Sequence, residues 1–212
     1  MARILKMKDI ALIGGMGSGK TTLAEALMNE NPEINYVYGS KYIVRIPMTL
    51  IGRDHPNLLS YPKEKLIDTV LENEHIEWDN FSRQEMDEFC QKVADIYGGT
   101  FNAEMFLRAG SSERQNVFDN IAKASNVRYL KDKGVYVVGL DCSFETQVER
   151  RLKDRKDIDP AERILMKRQV SQTNAYFEIE EIMKLADAVY GTDNVGVKDY
   201  PALAKKIVQS TQ

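Results

Sequence analysis

The chain is sparing with the residues that mark several functional classes. Its two cysteines, Cys90 and Cys142, stand far apart and form neither a C-x-x-C pair nor a zinc-ligand spacing, which argues against a disulfide framework or a thiolate metal site. Only two histidines are present, His55 and His75, and neither has an acid at ligand spacing, so no Ser-His-Asp or metal-binding constellation emerges. No apolar run approaches the roughly 20 residues needed to span a bilayer. Lys6, Lys8 and Asp9 interrupt the N-terminal apolar residues that a signal peptide would need continuous. The formal net charge is only −3, too small to attract nucleic acid or anionic lipid generally, although it leaves room for a local basic patch. Internal repeats, low-complexity tracts and flexible linkers are missing as well. With 43% hydrophobic and 29% charged residues, a chain of 212 residues can bury one sizeable core. These absences point to a soluble domain of cytoplasmic type with reduced thiols and no membrane partner. Nothing in them specifies an oligomer.

Against this background one stretch stands out, Gly14-Gly15-Met16-Gly17-Ser18-Gly19-Lys20-Thr21-Thr22. It fits G-x-x-x-x-G-K-[ST], the phosphate-binding P-loop. Glycines let the backbone take positive φ and curl around an anion, so that successive N–H groups point at phosphate oxygens. The N-terminus of the following helix adds its positive dipole end at the same place. Gly14, Gly15, Gly17, Ser18, Gly19 and Thr22 are therefore expected to build the cradle. Lys20 would reach the β- and γ-phosphates, and the Thr21 hydroxyl would ligate Mg²⁺. The context agrees: Ile10-Ala11-Leu12-Ile13 reads as a buried strand, and Leu23, Ala26 and Leu27 share one helical face.

The helix should end near Asn31-Pro32, because the residue before proline is pushed out of the α region. Residues 34–38 read as a second strand. From 41 to 99 the strand pattern gives way to a mostly helical one. Leu66, Ile67, Val70 and Leu71 share a face of one helix, and Met86, Phe89, Cys90, Val93 and Ile96 share a face of another. Ser82 and Glu85 would start the latter as a capping box. Residues 42–47 fit either a strand or a helix start, and Pro47 argues against a long element there; residues 51–57 read as loop.

Beyond 99 the strand pattern returns. A helix over 103–108 precedes the short strand Asn116-Val117-Phe118-Asp119. A helix over 120–133 then leads to a buried strand at 135–140 that ends on Asp141. Helices over 145–154 and about 160–177 follow, then a last strand at 188–190 and a closing helix at 202–208. Strands alternating with helices imply a parallel sheet covered on both faces.

Several residues are candidates for chemistry. Asp119 closes its strand where a Walker B-type acid would stand beside the P-loop. There it would hold Mg²⁺ through water or accept a proton from the phosphoryl acceptor; the structural alternative is a cap on the next helix. Arginines gather at Arg150, Arg151, Arg155, Arg163 and Arg168. Arg151 and Arg155 are four apart and share a helical face, so they either close over the phosphates or belong to a solvated charged face with Glu149, Lys153 and Asp154. Trp78, Tyr36, Tyr38, Tyr42 and Tyr61 either stack on a base or pack in the core.

Three stretches carry a family resemblance. Asp141-Cys142-Ser143-Phe144-Glu145-Thr146-Gln147-Val148-Glu149-Arg150 resembles the D-C-S-x-E-T-Q-x-x-R stretch of dephospho-CoA kinases. Arg168 to Gln172, and Ala186-Asp187-Ala188-Val189-Tyr190 with Asn194 beyond, are similar to later motifs of the same family. The segments Val117-Phe118-Asp119 and Val127-Arg128-Tyr129-Leu130 look more like other nucleoside monophosphate kinase relatives, including deoxynucleoside monophosphate kinases. The resemblance covers about two-thirds of the chain and implies the nucleoside monophosphate kinase fold. That fold is a five-stranded parallel sheet sandwiched by helices in a single P-loop kinase domain over 1–212, with a helical acceptor-binding subregion at 41–99 and a short lid at 150–160. It implies ATP and Mg²⁺, lid arginines at Arg151 and Arg155, and a loop from Gly191 to Asn194 near adenine.

The same resemblance fails on the acceptor side. Tyr38-Gly39-Ser40-Lys41 offers no acid after the second strand, and Asn120-Ile121-Ala122-Lys123 replaces the family's H-P motif. Ser40, Arg45 and Arg53 are the acceptor-side candidates, the arginines because bidentate guanidinium groups grip phosphate. The leading expectation is a kinase moving the γ-phosphate of ATP to a nucleotide-like small molecule, either a nucleoside or deoxynucleoside monophosphate or a dephospho-CoA-like acceptor. A kinase acting on a hydroxyl in nucleic acid, such as a modified base, is the second. A nucleotide-binding regulator without catalysis is the third.

Overall fold

The computed structural model describes residues 7–153 and 159–211. Five strands form one all-parallel sheet: β1 (Ile10–Gly14), β2 (Asn35–Tyr38), β3 (Asn116–Asp119), β4 (Tyr136–Asp141) and β5 (Ala188–Gly191), in the order β2-β3-β1-β4-β5. The helices are α1 (Lys20–Glu30), α2 (Ile46–Gly52), α3 (Lys63–Glu72), α4 (Arg83–Tyr97), α5 (Phe101–Ala109), α6 (Ala124–Asp132), α7 (Phe144–Leu152), α8 (Pro160–Tyr176), α9 (Ile179–Met183) and α10 (Tyr200–Ser210). Among the described residues no helix is long and apolar enough to cross a membrane.

The sheet is apolar on both sides because its strands are covered on both sides. Successive β1 residues point to opposite faces. Ile10 and Leu12 meet Leu23, Leu27, Ala204 and Ile207 of α1 and α10. Ala11 and Ile13 meet the larger core that holds Ile46, Leu66, Phe89, Phe106 and Val127. The central strand β1 pairs with β3 through Ile10 and Ala11 opposite Val117 and Phe118, and with β4 along its whole length. The C-terminal ends of β1 and β3 thus lie side by side, where ligands of open α/β sheets bind. A smaller cluster of Val148, Leu152, Met166 and Val170 pins α8 onto α7.

Three local expectations are corrected. The helix expected over 120–133 begins only at Ala124, because Asn120 and Lys123 take φ of 67° and 72°. An α-helix does not admit left-handed residues. Distant groups hold that bend: Phe177 O accepts from Lys123 N at 3.4 Å, and the Glu178 carboxylate caps Ala124 N at 2.8 Å. Pro47 does not cut its segment short. A π-helical turn over Lys41–Arg45, with Ile46 N–H donating to Lys41 O, leads directly into α2, which runs to Gly52 through part of the loop expected at 51–57. A widened turn relieves the ring–carbonyl conflict that an ordinary α-turn imposes on an internal proline. Finally, Ile96 on α4 is 52% exposed, outside the face that buries Phe89 and Val93.

Candidate active site

The P-loop is held by its neighbours as much as by its own turn. Gly19, at φ 96°, is the residue from which α1 starts. A Cβ there would overlap the Tyr200 hydroxyl and stand 2.8 Å from Cζ of that ring. Gly17, at φ 79°, lies against α7, and a Cβ there would come within 2.9 Å of the Gln147 carbonyl oxygen. Gln147 also anchors the loop from the side. Its Nε2 donates to Cys142 O at 2.8 Å, its Oε1 accepts from Asn174 Nδ2 at 2.8 Å, and Asn174 Oδ1 accepts from Met16 N at 3.1 Å. One P-loop amide is therefore bound by α8, which couples that helix to the loop.

Lys20 Nζ donates to the carbonyls of Gly14 and Gly15, both at 2.9 Å. Burial pulls its ammonium below the ordinary lysine range, and the nearby Asp119 charge works in the opposite direction. Among the described residues only these neutral carbonyls bond to it, and a desolvated cation so held is poised for a stronger anionic partner. Ser18 is fully buried, its Oγ has no hydrogen-bond partner among the described residues, and its carbonyl accepts from Thr192 Oγ1 at 3.0 Å.

Asp119 is 2% exposed at the end of β3. Its Oδ2 accepts from Tyr36 Oη at 3.0 Å and from Thr21 Oγ1 at 3.4 Å, and its Oδ1 accepts from Asn120 N at 2.5 Å. Burial and then the Asp119 charge drive the Tyr36 phenol far above its ordinary pKa, so it stays a donor. The pair of hard oxygen donors, Thr21 hydroxyl and Asp119 carboxylate, beside a cradle of loop amides fits Mg²⁺ with a nucleoside triphosphate. Tyr36 would orient the carboxylate from behind. Tyr36→Phe is accordingly expected to weaken Mg²⁺ by about 10-fold, the lower end for loss of a ligand-orienting bond. A Mg²⁺ titration of ATP binding by calorimetry reads this, and an unchanged titration would remove Tyr36 from the site.

Two clefts meet at the loop. One, of about 640 Å³, runs from Gly14, Lys20, Thr21 and Asp119 past Tyr38, Ser40 and Arg45 to Asp87 of α4, Asn120, and Gln169, Gln172 and Thr173 of α8. The other, of about 410 Å³, lies between Arg150, Arg151 and Lys153 on one side and Val195, Gly196, Val197 and Tyr200 on the other, with Thr22 in its wall. Gly17, Lys20, Thr21 and Arg151 line both. Arg150 ties this second cleft together: its guanidinium donates to Gly17 O at 3.2 Å, to Thr192 O and to Val195 O at 3.4 Å.

Most residues singled out in the sequence come together here. Ser40, 9% exposed, and Arg45 line the first cleft, and the Arg45 guanidinium lies 5.8 Å from the centre of the Trp78 ring. Asn194 sits in an exposed turn next to Val195 of the second cleft. Arg53 lies apart from both. It is exposed and paired with Asp79 at 2.5 Å. Arg155, with the rest of residues 154–158 of the lid expected at 150–160, falls outside the described residues. Asp87, Asn120 and Phe177 line the first cleft without having stood out in the sequence. Their approach depends on how α4, the β3 end and α8 pack, and no motif marks it. Gln147 was visible only inside the D-C-S-x-E-T-Q resemblance, and its contact with Asn174 spans two helices.

The fold and the loop together define a P-loop protein of the kinase-type α/β fold. Neither a family model nor a curated protein matches the sequence. Among solved structures the chain is similar to a shikimate kinase from Bacteroides thetaiotaomicron, with 16% identity, 96% of this chain and 99% of that chain covered, and a TM-score of 0.53. It is also similar to the protein TT1252 from Thermus thermophilus, with 19% identity, 97% of each chain covered and a TM-score of 0.51. A sugar kinase from a Janibacter species gives 15% identity, 96% and 95% coverage and a TM-score of 0.50. At such identities the likeness defines the fold alone.

Proposed function

We propose that this chain is an ATP- and Mg²⁺-dependent phosphotransferase that moves the γ-phosphate to a nucleotide-like small molecule. The observation that carries the reading is the meeting of two clefts at Gly17, Lys20, Thr21 and Arg151. A nucleotide-binding regulator needs only the donor cleft. A second cleft of about 640 Å³, opening on the same lysine, is what a transfer reaction requires, because the two substrates must lie in line on either side of the moving group. The known activities of proteins with similar folds, a shikimate kinase and a sugar kinase, agree with this class and leave the acceptor open.

In this reading the donor's base lies between Arg150 and the Val195–Val197 loop, with Asn194 at its rim. The loop amides and Lys20 hold the phosphates. Mg²⁺, bound by Thr21 and Asp119, would neutralise charge on the phosphate oxygens. Arg151, exposed at the junction of the clefts, offers its guanidinium to the phosphoryl group in flight, with Arg155 as the second lid arginine; positive charge placed there is the main lever in such reactions. Ser40 and Arg45 contact the acceptor.

The test is transfer of label from γ-labelled ATP, with Mg²⁺, to nucleosides, nucleoside monophosphates, dephospho-CoA and an oligonucleotide carrying a hydroxymethylated base. Transfer to one class is expected, with Asp119→Asn lowering the rate by about 10²-fold or more. Tight ATP binding with no transfer to any acceptor would instead favour the regulator. Labelled oligonucleotide alone would favour a nucleic-acid kinase.

A further inference from the structure

We infer that Asn174 of α8 is a positioning residue for the P-loop, holding the Met16 amide and coupling occupancy of the first cleft to triphosphate affinity. The two ligands are those of the phosphotransferase reading, on which this inference rests.

Met16 is gripped in two ways. Its N–H donates to Asn174 Oδ1 at 3.1 Å, and its side chain packs on the cluster of Val148, Leu152, Met166 and Val170 between α7 and α8. Asn174 is fixed in turn. Its Nδ2 donates to Gln147 Oε1, and Gln147 Nε2 donates to Cys142 O, both at 2.8 Å. A backbone N–H can only donate and a carbonyl can only accept, so the two ends of this chain set the orientation of both side-chain amides. Gln147 is 6% exposed and lies directly against the loop: a Cβ on Gly15 would stand 2.6 Å from its Oε1 and 2.8 Å from its Nε2. The residue after β4 thus reaches Met16 through two amides, one on α7 and one on α8.

The same helix faces the other ligand. Residues four apart share a helical face, and α8 carries two such rows side by side. Met166, Val170 and Asn174 turn to α7 and the loop. Gln169 and Thr173, with Phe177 at the end of the helix, line the first cleft. At that end Phe177 O accepts from Lys123 N and the Glu178 carboxylate caps Ala124 N, in the bend that follows Asn120 of the same cleft. An acceptor bonded to Gln169 and Thr173 therefore orders the helix that bears Asn174. A triphosphate that fixes the loop orders it from the other side. The first ligand carries the ordering cost, and the second meets a helix already ordered. By linkage, each ligand then tightens the other by the same factor.

The experiment compares wild type, Asn174→Leu and Gln147→Met as full chains, with circular dichroism checking that each folds. Hydrogen exchange is followed by mass spectrometry with Mg²⁺ and saturating AMP-PNP, a non-hydrolysable ATP analogue. In wild type the analogue should slow exchange at least about fivefold in the loop and in the α8 peptide around Asn174, the lower end for coupled sites. In Asn174→Leu the slowing should persist in the loop and vanish from α8. Gln147→Met leaves Asn174 without its orienting acceptor and should give an intermediate response; where the leucine variant does not fold, a full wild-type response in Gln147→Met overturns the inference. A merely structural asparagine would lower stability and leave the response of α8 unchanged. Calorimetry then titrates AMP-PNP with and without a nucleoside, a nucleoside monophosphate or dephospho-CoA. The probe that takes label from γ-labelled ATP should tighten AMP-PNP at least about fivefold in wild type and less than about twofold in Asn174→Leu. With transfer present, either response missing from wild type, or undiminished in Asn174→Leu, overturns this inference and leaves the phosphotransferase intact. Where no probe takes label in a Lys20-dependent way, the phosphotransferase reading fails and the exchange data alone decide the role of Asn174. A chain that does not bind AMP-PNP overturns both.

Discussion

Lys20→Ala is expected to reduce phosphoryl transfer by about 10²–10³-fold, the range for removing one preorganised electrostatic contact, while leaving the fold at least as stable as the wild type. The two halves have one cause. Lys20 Nζ is held by two neutral carbonyls, Gly14 O and Gly15 O, and its burial disfavours the charged form. Among the described residues it has no ion-pair partner at bonding distance; such a desolvated cation costs the folded state free energy, and alanine removes that cost. In the proposed function the entering phosphates supply that partner.

The same physics sets a pH dependence. Folding lowers the Lys20 pKa from its ordinary 10.5, so the unfolded chain binds more protons than the folded one between the lowered value and 10.5. The lysine therefore opposes folding at lower pH, and that opposition fades as pH rises through this window. Urea denaturation of wild type and Lys20→Ala from neutral to alkaline pH reads both effects. The account fails if Lys20→Ala retains transfer within about threefold, or if it is markedly less stable at neutral pH.

Gly19→Ala carries the largest expected effect on stability, a loss of about 2–5 kcal/mol. Left-handed backbone in an alanine contributes about 1–2 kcal/mol, and overpacking a fitted contact adds about 1–3 kcal/mol. Gly19 has φ 96°, and the new Cβ would run into the Tyr200 ring. That ring cannot swing clear, since Tyr200 is 4% exposed and packs in the core shared by α1 and α10. The two contributions can be separated. In a Tyr200→Leu background the overlap is gone and only the backbone strain remains, so Gly19→Ala should then cost about 1–2 kcal/mol. A double-mutant cycle by urea denaturation measures the difference. Equal costs in both backgrounds would show that the ring does not limit this position. ATP affinity should fall in both, because in the proposed function the amides that follow Gly19 hold the phosphates.

Local patterns carried the sheet and the loop that leads into α1. Asn116–Asp119 and Tyr136–Asp141 were legible because a buried parallel strand is a short apolar run bounded by polar residues. The box at Ser82 and Glu85 was legible because both halves of the cap lie within one turn, and both of its bonds are present. The reading failed where distant parts decide. Nothing near Asn120 or Lys123 announces left-handed backbone; Phe177 and Glu178, more than fifty positions later, hold it. Arg53 resembled Arg45 in the sequence, yet one is paired with Asp79 and the other lines the cleft.

By itself, then, the sequence determined that a glycine-rich loop joins β1 to α1, that an acid closes β3, and that arginines follow β4. Each of these is written within a dozen residues, because strand, turn and helix start are set by local backbone preferences and by hydrophobic period. Only the tertiary structure decided that two clefts share Lys20, Thr21 and Arg151, and that Asp87 lines the first of them. Those facts depend on the packing of α4, α7 and α8 against the sheet. Packing is settled by contacts between residues far apart in the chain, and no local pattern encodes their meeting.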